Sequence, residues 1–418
     1  MPRGFNNLLS GKVVLDLTNE KGLLAGRMLA DLGADVIKIE PPEGCPARNK
    51  GPFYHDITHP EKSLFWAFFN TNKRSITLDL SCEKARELFK KLVQKADIMI
   101  ESFPPGEMEE LNLGYDELAT VNPGIIYTSI TPFGRTGPYR DYQVTDLIAM
   151  AMGGVVYLAG YEDRPPVRIG YPQAYLNASA VAAVASLVAL YHREMTGEGQ
   201  LVDVSIQESL LRATFNSTLA WHLEGYLFTR LGTTRIMGPK LRAPIVWSCK
   251  DGYVSFITFG GAVGGEAMRS LGEWLVEEGI EDKTTSEIDW ASFSGIDKLT
   301  TETLERASKP IKRLFARYTK KELLEECLRR RILLLPVSTS ADILDEPHLA
   351  SKEFWQTVEY PELEDSIVHP KPPFQIDGVY PPIVRKSPLI GEHNVEVYES
   401  LLGLSHEEIV LLKEEGIT

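Results

Sequence analysis

The residues that could run metal, thiol or nucleotide chemistry are present in this chain, but their spacing argues against each in turn. Of eight histidines only His55 and His59 stand at i,i+4. Their segment, HDITHP, has no helical pattern and runs into Pro60, which disfavours helix, so the pair does not present two ring nitrogens on one helical face. Cys45, Cys82, Cys249 and Cys327 stand far apart with no C-x-x-C pair. That spacing indicates neither a zinc site nor a disulfide framework, and it fits reduced thiols in the cytoplasm. After the first apolar run the turn reads TNEKGLLAG rather than G-x-G-x-x-G, so the dinucleotide fingerprint is absent and an NAD enzyme is disfavoured.

The bulk of the chain sets the frame. Its 418 residues, 43% of them hydrophobic, suffice for two domains or for one large domain carrying a smaller insert. With 44 basic against 58 acidic residues the formal net charge is −14. That balance disfavours nucleic acid and anionic membranes as partners and leaves small molecules and other proteins. The N-terminal MPRGFNNLLSGKVVLDL lacks the apolar run of a signal peptide, and no stretch of eighteen uninterrupted apolar residues follows. The expected location is the cytoplasm.

The elements that would position a site alternate regularly over the first 130 residues. Val13 to Leu17 reads as a buried strand, Gly22 to Leu32 as a helix, and Asp35 to Ile39 as a second strand. Ile76 to Leu80 reads as extended, Glu83 to Lys95 as an amphipathic helix, and Asp97 to Ile100 and Gly124 to Ile130 as strands. Such alternation predicts a parallel α/β sheet. NASAVAAVASLVAL, from Asn177 to Leu190, predicts a small-residue helix suited to close packing, and LVDVSIQESLL a strand running into a helix. From Ala243 to Phe259 short strands flank the turn CKDG, a change of rhythm that predicts a second domain. Charged helices such as Lys320 to Arg331 follow, then a proline-rich, loop-rich stretch up to Pro388. Ser405 with Glu408 three residues on predicts a capping box at the start of the last helix.

Seven segments in order resemble the class III CoA-transferase family, whose members include formyl-CoA and carnitine CoA-transferases. They are GADVIKIEPPEG followed by Arg48, FFNTNKRSITLDL, ESFPPGEMEELNLGYDEL, YTSITPFGRTGPY, TGEGQLVDVSIQES, LPVSTSADILDEPHL and LIGEHNVEVYESLLGL, and the resemblance runs from Leu9 to about Leu412. It implies an α/β fold with a Rossmann-like large domain formed from both chain ends, residues 1–225 and 340–418, and a smaller inserted domain, residues 226–339. It further implies two subunits threaded through each other like linked rings. No cofactor is expected to be held permanently; a coenzyme A thioester is the implied substrate, and Arg48, Leu78, Ser102 and Phe103 occupy places where the family contacts CoA.

The family's reaction runs through an aspartate whose carboxylate attacks the thioester carbonyl, giving first a mixed anhydride and then an aspartyl-CoA thioester. Counted from Pro165 and Pro166 through Gly170 to Gly197, that position falls here on Tyr175, in RIGYPQAYLNAS. A phenol with a pKa of about 10 stays protonated and cannot follow the anhydride route. Asp146, in YQVTDLIAMAMGG, is the fallback nucleophile, set against the reading that it caps the helix that follows. The racemase branch of the family fares no better, with Thr145 in its histidine position and Tyr175 in that of its second acid. Where some members meet CoA phosphates with cations, this chain has Pro41, Ser81, Glu110 and Gln143, which removes attraction and adds one repulsive carboxylate. The glycine-rich loop of some members is also missing before Ile245; the nearest cluster, Phe259 to Gly265, reads as a turn.

Within the family, RPPVRIG and YPQAYLNAS resemble a branch that works as paired homologous subunits, moving CoA from succinyl-CoA to benzylsuccinate in anaerobic toluene breakdown. The resemblance implies a supporting subunit with no catalytic residue of its own, partnered by a catalytic homologue. Two alternatives stay open: a self-sufficient homodimeric transferase using Asp146, and a non-enzymatic acyl-CoA-binding scaffold.

Overall fold

Short apolar runs separated by amphipathic helices build one six-stranded parallel sheet in the computed structural model, which describes residues 8–418 except 213, 238–240, 259–260, 281–289 and 291–299. Its strands are β1 (Val13–Leu17), β2 (Asp35–Glu40), β3 (Lys73–Thr77), β4 (Ile98–Glu101), β5 (Ile126–Thr131) and β6 (Gln200–Ser205). Their order is β3-β2-β1-β4-β5-β6, every neighbouring pair parallel. The chain winds outward from β1 to β3, then returns to β1's other side to lay down β4. That reversal opens a crevice between the C-terminal ends of β1 and β4, the place where doubly wound sheets bind ligands.

Helices cover both faces. On one, α1 (Leu23–Asp31) and the long α4 (Gln173–Thr196) pack on the apolar side chains of β1, β4, β5 and β6. On the other, α2 (Glu83–Val93) joins two helices from the chain's far end, α5 (Asn394–Leu402) and α6 (His406–Glu414), around Leu15, Ile37, Met99 and Tyr127. Both ends of the chain therefore build this domain. By length and composition α4 could cross a membrane. Its alanine-rich face, however, lies in the core, and Ser186 shares a 2.7 Å hydrogen bond with Thr128 of β5. Gly197 ends it in the left-handed conformation, φ 81°, that favours glycine.

Where β3 begins, the observed strand lies three residues earlier than the apolar pattern predicts. Lys73 and Arg74 look like loop residues, yet both are buried because each finds carboxylates: Asp16 for Lys73, Asp35 and Glu396 for Arg74. Within the stretch expected to be loop-rich, Trp355–Tyr360 and Asp365–Pro370 form an antiparallel hairpin. The capping box at Ser405 and Glu408 is present.

The described chain divides into two compact units. One holds the sheet and comprises the chain up to Val156, Arg168–Leu227 and His348–Thr418; the other comprises Tyr157–Val167 and Phe228–Pro347. Residues 157–167, assigned to the large domain from sequence, thus fall in the second unit. That unit has its own core of Trp247, Trp274, Phe256 and Phe315, formed by the antiparallel strands Val246–Cys249, Gly252–Phe256 and Leu334–Pro336 with the helices that flank them. The glycine cluster at Phe259 to Gly265 lies partly outside the described residues.

Candidate functional site

The turns that follow β1, β2, β3 and β4 enclose a cleft of about 520 Å³ at the switch point of the sheet. Leu17, Ile39, Leu78, Leu80 and Phe103 supply apolar wall, and Asp79, Glu107 and Glu110 supply carboxylates. A second cavity of about 300 Å³, lined by Pro132, Arg140, Tyr142, Gln143 and Val144 among others, shares Asn19, Lys21 and Pro104 with the first. Ser102 fastens the crevice: its hydroxyl accepts from the Asn19 N–H at 2.9 Å and donates to the Asn19 side-chain oxygen at 3.1 Å. The turns after β1 and β4 are thereby held as one wall.

Below the cleft lies a layer of buried charge. Asp16 accepts from Lys73 Nζ at 2.7 Å and from the Thr18 hydroxyl, also at 2.7 Å. Burial alone would raise its pKa, but Lys38 and Lys73 outweigh that and hold the carboxyl at about 2. Lys38 borders the cleft, yet its ammonium is spent on the carbonyls of Thr18 (2.6 Å) and Asp16 (3.0 Å). Glu101, at the end of β4, accepts the Phe103 N–H at 2.6 Å. Burial pushes its pKa up to about 7, opposed in part by hydrogen bonding, the Phe103 N–H included, and more weakly by Arg135, whose guanidinium is 4.0 Å away.

Tyr175 and Asp146 meet at the start of α4. Pro172 precedes this helix and has no side chain that can cap it. The cap comes instead from Asp146, at the start of α3 (Asp146–Met152), whose Oδ1 accepts the N–H groups of Ala174 (3.0 Å) and Tyr175 (3.2 Å). Asp146 is therefore a cap, but of α4 rather than of α3. Its other oxygen is buried without a hydrogen-bond partner among the described residues, and desolvation raises its pKa, the two backbone donors opposing. Tyr175 is buried in the core layer beside α1, its hydroxyl 3.5 Å from the Val144 carbonyl. Desolvation, then the nearby Glu20 and Asp146 carboxylates, raises the phenol's pKa further above its ordinary value.

Leu78, Ser102 and Phe103 line the cleft, and so do Pro41, Ser81 and Glu110; Gln143 lines the second cavity. All four positions singled out for a missing cation thus border the two cavities. Arg48 corrects the expectation made for it. It is fully buried and absent from the cleft lining. Four of its N–H donors go to Glu40 (2.7 and 2.8 Å), Glu61 (2.8 Å) and the Pro388 carbonyl (3.0 Å), and its guanidinium lies 3.7 Å over Trp66. With those donors satisfied, this arginine ties the chain's end to its beginning and has little left for a phosphate. Lys21 and Glu107 were missed by sequence reasoning. The available signal was position: TNEKG directly follows the first strand of a parallel sheet, where such folds bind ligands.

A family model, CoA-transferase family III, matches residues 9–394. The chain is 37% identical over 389 residues to the BbsE subunit of succinyl-CoA:(R)-benzylsuccinate CoA-transferase from Thauera aromatica, with 92% of each chain covered. It is 32% identical over 397 residues to the succinyl-CoA:mesaconate CoA-transferase of Haloarcula hispanica, covering 92% of this chain and 94% of that one. Among solved structures, a CAIB/BAIF family protein from Brucella suis matches with a TM-score of 0.78 at 27% identity, over 94% of this chain and 99% of the other.

Proposed function

The chain belongs to CoA-transferase family III, and from that premise we propose that it is the supporting subunit of a heteromeric transferase whose catalytic aspartate is supplied by a homologous chain. In this reading the partner's carboxylate attacks the thioester carbonyl of succinyl-CoA and expels CoA thiolate. The thiolate attacks the resulting anhydride at the aspartyl carbonyl and releases succinate. An acceptor acid, benzylsuccinate in this proposal, then takes the CoA by the same two steps in reverse. The two chains are threaded as linked rings, and this chain supplies scaffold and pocket wall.

One observation carries the proposal. At the turn where the family's nucleophile is expected, the side chain is the Tyr175 phenol, its pKa raised by burial, and the adjoining carboxylate, Asp146, is engaged as a helix cap. A carboxylate with one oxygen on two backbone donors and the other buried is poorly placed to attack a thioester. Further support comes from α4, where Val184, Val188, Tyr191 and Met195 recur at helical spacing and are all exposed, an apolar stripe that a partner would cover.

The test is to purify the chain alone and together with its homologue, and to assay CoA transfer from succinyl-CoA. Activity is expected only in the mixed complex, and Tyr175→Phe is expected to leave most of it intact. Turnover by the isolated chain, with an acyl or CoA adduct trapped on Asp146, would sink the reading and favour a self-sufficient homodimer. Ligand binding without any stimulation of transfer would favour a non-enzymatic scaffold.

A further inference from the structure

Lys21 is the one cation on the cleft wall that the fold leaves without a counter-charge among the described residues. It lies in the turn between β1 and α1 and borders both cavities. Its ammonium is half-buried and makes, among the described residues, one long contact, 3.5 Å to the Ser102 carbonyl. No described carboxylate forms an ion pair with it, whereas Lys38, Lys73 and Arg48 each have one. Burial accordingly pushes its pKa down, opposed only by the longer-range fields of Glu20, Glu101 and Glu107. An ammonium withdrawn from water is stabilised strongly when an anion arrives with good geometry.

The surroundings restrict which anion that is. Leu17, Ile39, Leu78, Leu80 and Phe103 offer an apolar surface, but the other charged groups bordering the cleft are carboxylates or the already bonded Lys38. A polyanion would meet one free ammonium and several like charges. A ligand with a single anionic group on a flat apolar body meets the ammonium and the apolar wall together.

We propose that Lys21 anchors the single anionic group, carboxylate or phosphomonoester, of a ligand whose flat apolar body lies along this cleft, and that the cleft selects against the polyphosphate of CoA. This names the ligand chemistry of the same site, and rests on the reading that the cleft is a ligand site of a transferase subunit.

Calorimetric titration of the full chain tests it, with 3-phenylpropanoate, adenosine 5′-monophosphate and CoA as probes, against wild type, Lys21→Gln and Lys21→Arg. Either or both of the first two probes should bind more tightly than CoA, and which one binds distinguishes an acid from a nucleotide source. Lys21→Gln should weaken that binding by roughly tenfold or more, while Lys21→Arg keeps it within about threefold. Circular dichroism of Lys21→Gln should match wild type, so that lost binding is not lost folding. The proposal is overturned if neither probe binds, if Lys21→Gln leaves affinity unchanged, or if CoA binds tightest. None of those results bears on whether transfer needs the mixed complex, which the transfer assay reads separately.

Discussion

Asp16 with Lys38 and Lys73, and Glu40 with Arg48, form two buried, bonded sets at the floor of the cleft, Lys38 and Glu40 bordering it, whereas on its wall, among the described residues, Lys21 has a single long contact and Glu107 and Glu110 form no ion pair. The two layers carry the same residue types a few side chains apart. Partnership separates them. In the lower layer each charge answers another, so the set fixes how the strands sit together and offers nothing to a ligand. On the wall the charges face the cavity unanswered, and they decide what may enter.

The sharpest break in this contrast is expected from Lys73→Met. Removing Lys73 leaves the buried Asp16 carboxylate with the more distant Lys38, 3.5 Å away, as its one remaining cation among the described residues, and urea denaturation should show a loss of about 3–5 kcal/mol. Lys21→Met should stay within about 1 kcal/mol, and equal losses would erase the distinction. The lower layer also has a pH signature. Asp16 titrates at about 2 when folded, against 3.8 ordinarily, so its contribution is present above the ordinary value and is lost as pH falls toward 2.

Glu101 behaves in the opposite sense. Its folded pKa of about 7 lies above the ordinary 4.5, so the folded state holds a proton that the unfolded chain releases, and stability declines as pH rises from 4.5 through 7. Glu101→Gln keeps an acceptor for the Phe103 N–H and removes the titration. The variant should gain about 2 kcal/mol on wild type at pH 8 and little at pH 4. A parallel pair of stability curves from pH 4 to 8 would contradict this.

Asp146→Ala should remove the cap of α4 at a cost of about 1–2 kcal/mol in thermal or urea melts. Transfer by the assembled mixed complex should survive at temperatures where the fold holds; complete loss of turnover with assembly intact would restore Asp146 as nucleophile. The smallest effect is expected at the rim. Glu110→Arg should raise the chain's affinity for CoA about tenfold at low ionic strength, and the gain should shrink as salt screens it. A gain that ignores salt would show that charge is not what excludes the polyphosphate.

Much of the frame was legible in residue order. The alternation of apolar runs and amphipathic segments predicts the parallel sheet, because strands buried on both faces must be apolar throughout and crossover connections must be helical. Lys73 and Arg74 hid the start of β3, since periodicity counts a charged residue as exposed and cannot see a carboxylate waiting on a neighbouring strand. Arg48 was matched to a ligand position by its surrounding string, and a string cannot show the Glu40 and Glu61 carboxylates that take its donors in the folded chain.

The chain's order of residues determined by itself its family, its sheet, and the presence of a phenol where an acid was expected at Tyr175. Only tertiary structure decided what the charges do. Whether Asp146 caps its own helix or another, and whether a lysine is bonded like Lys38 or left open like Lys21, depends on groups distant in sequence that folding alone brings within hydrogen-bonding reach.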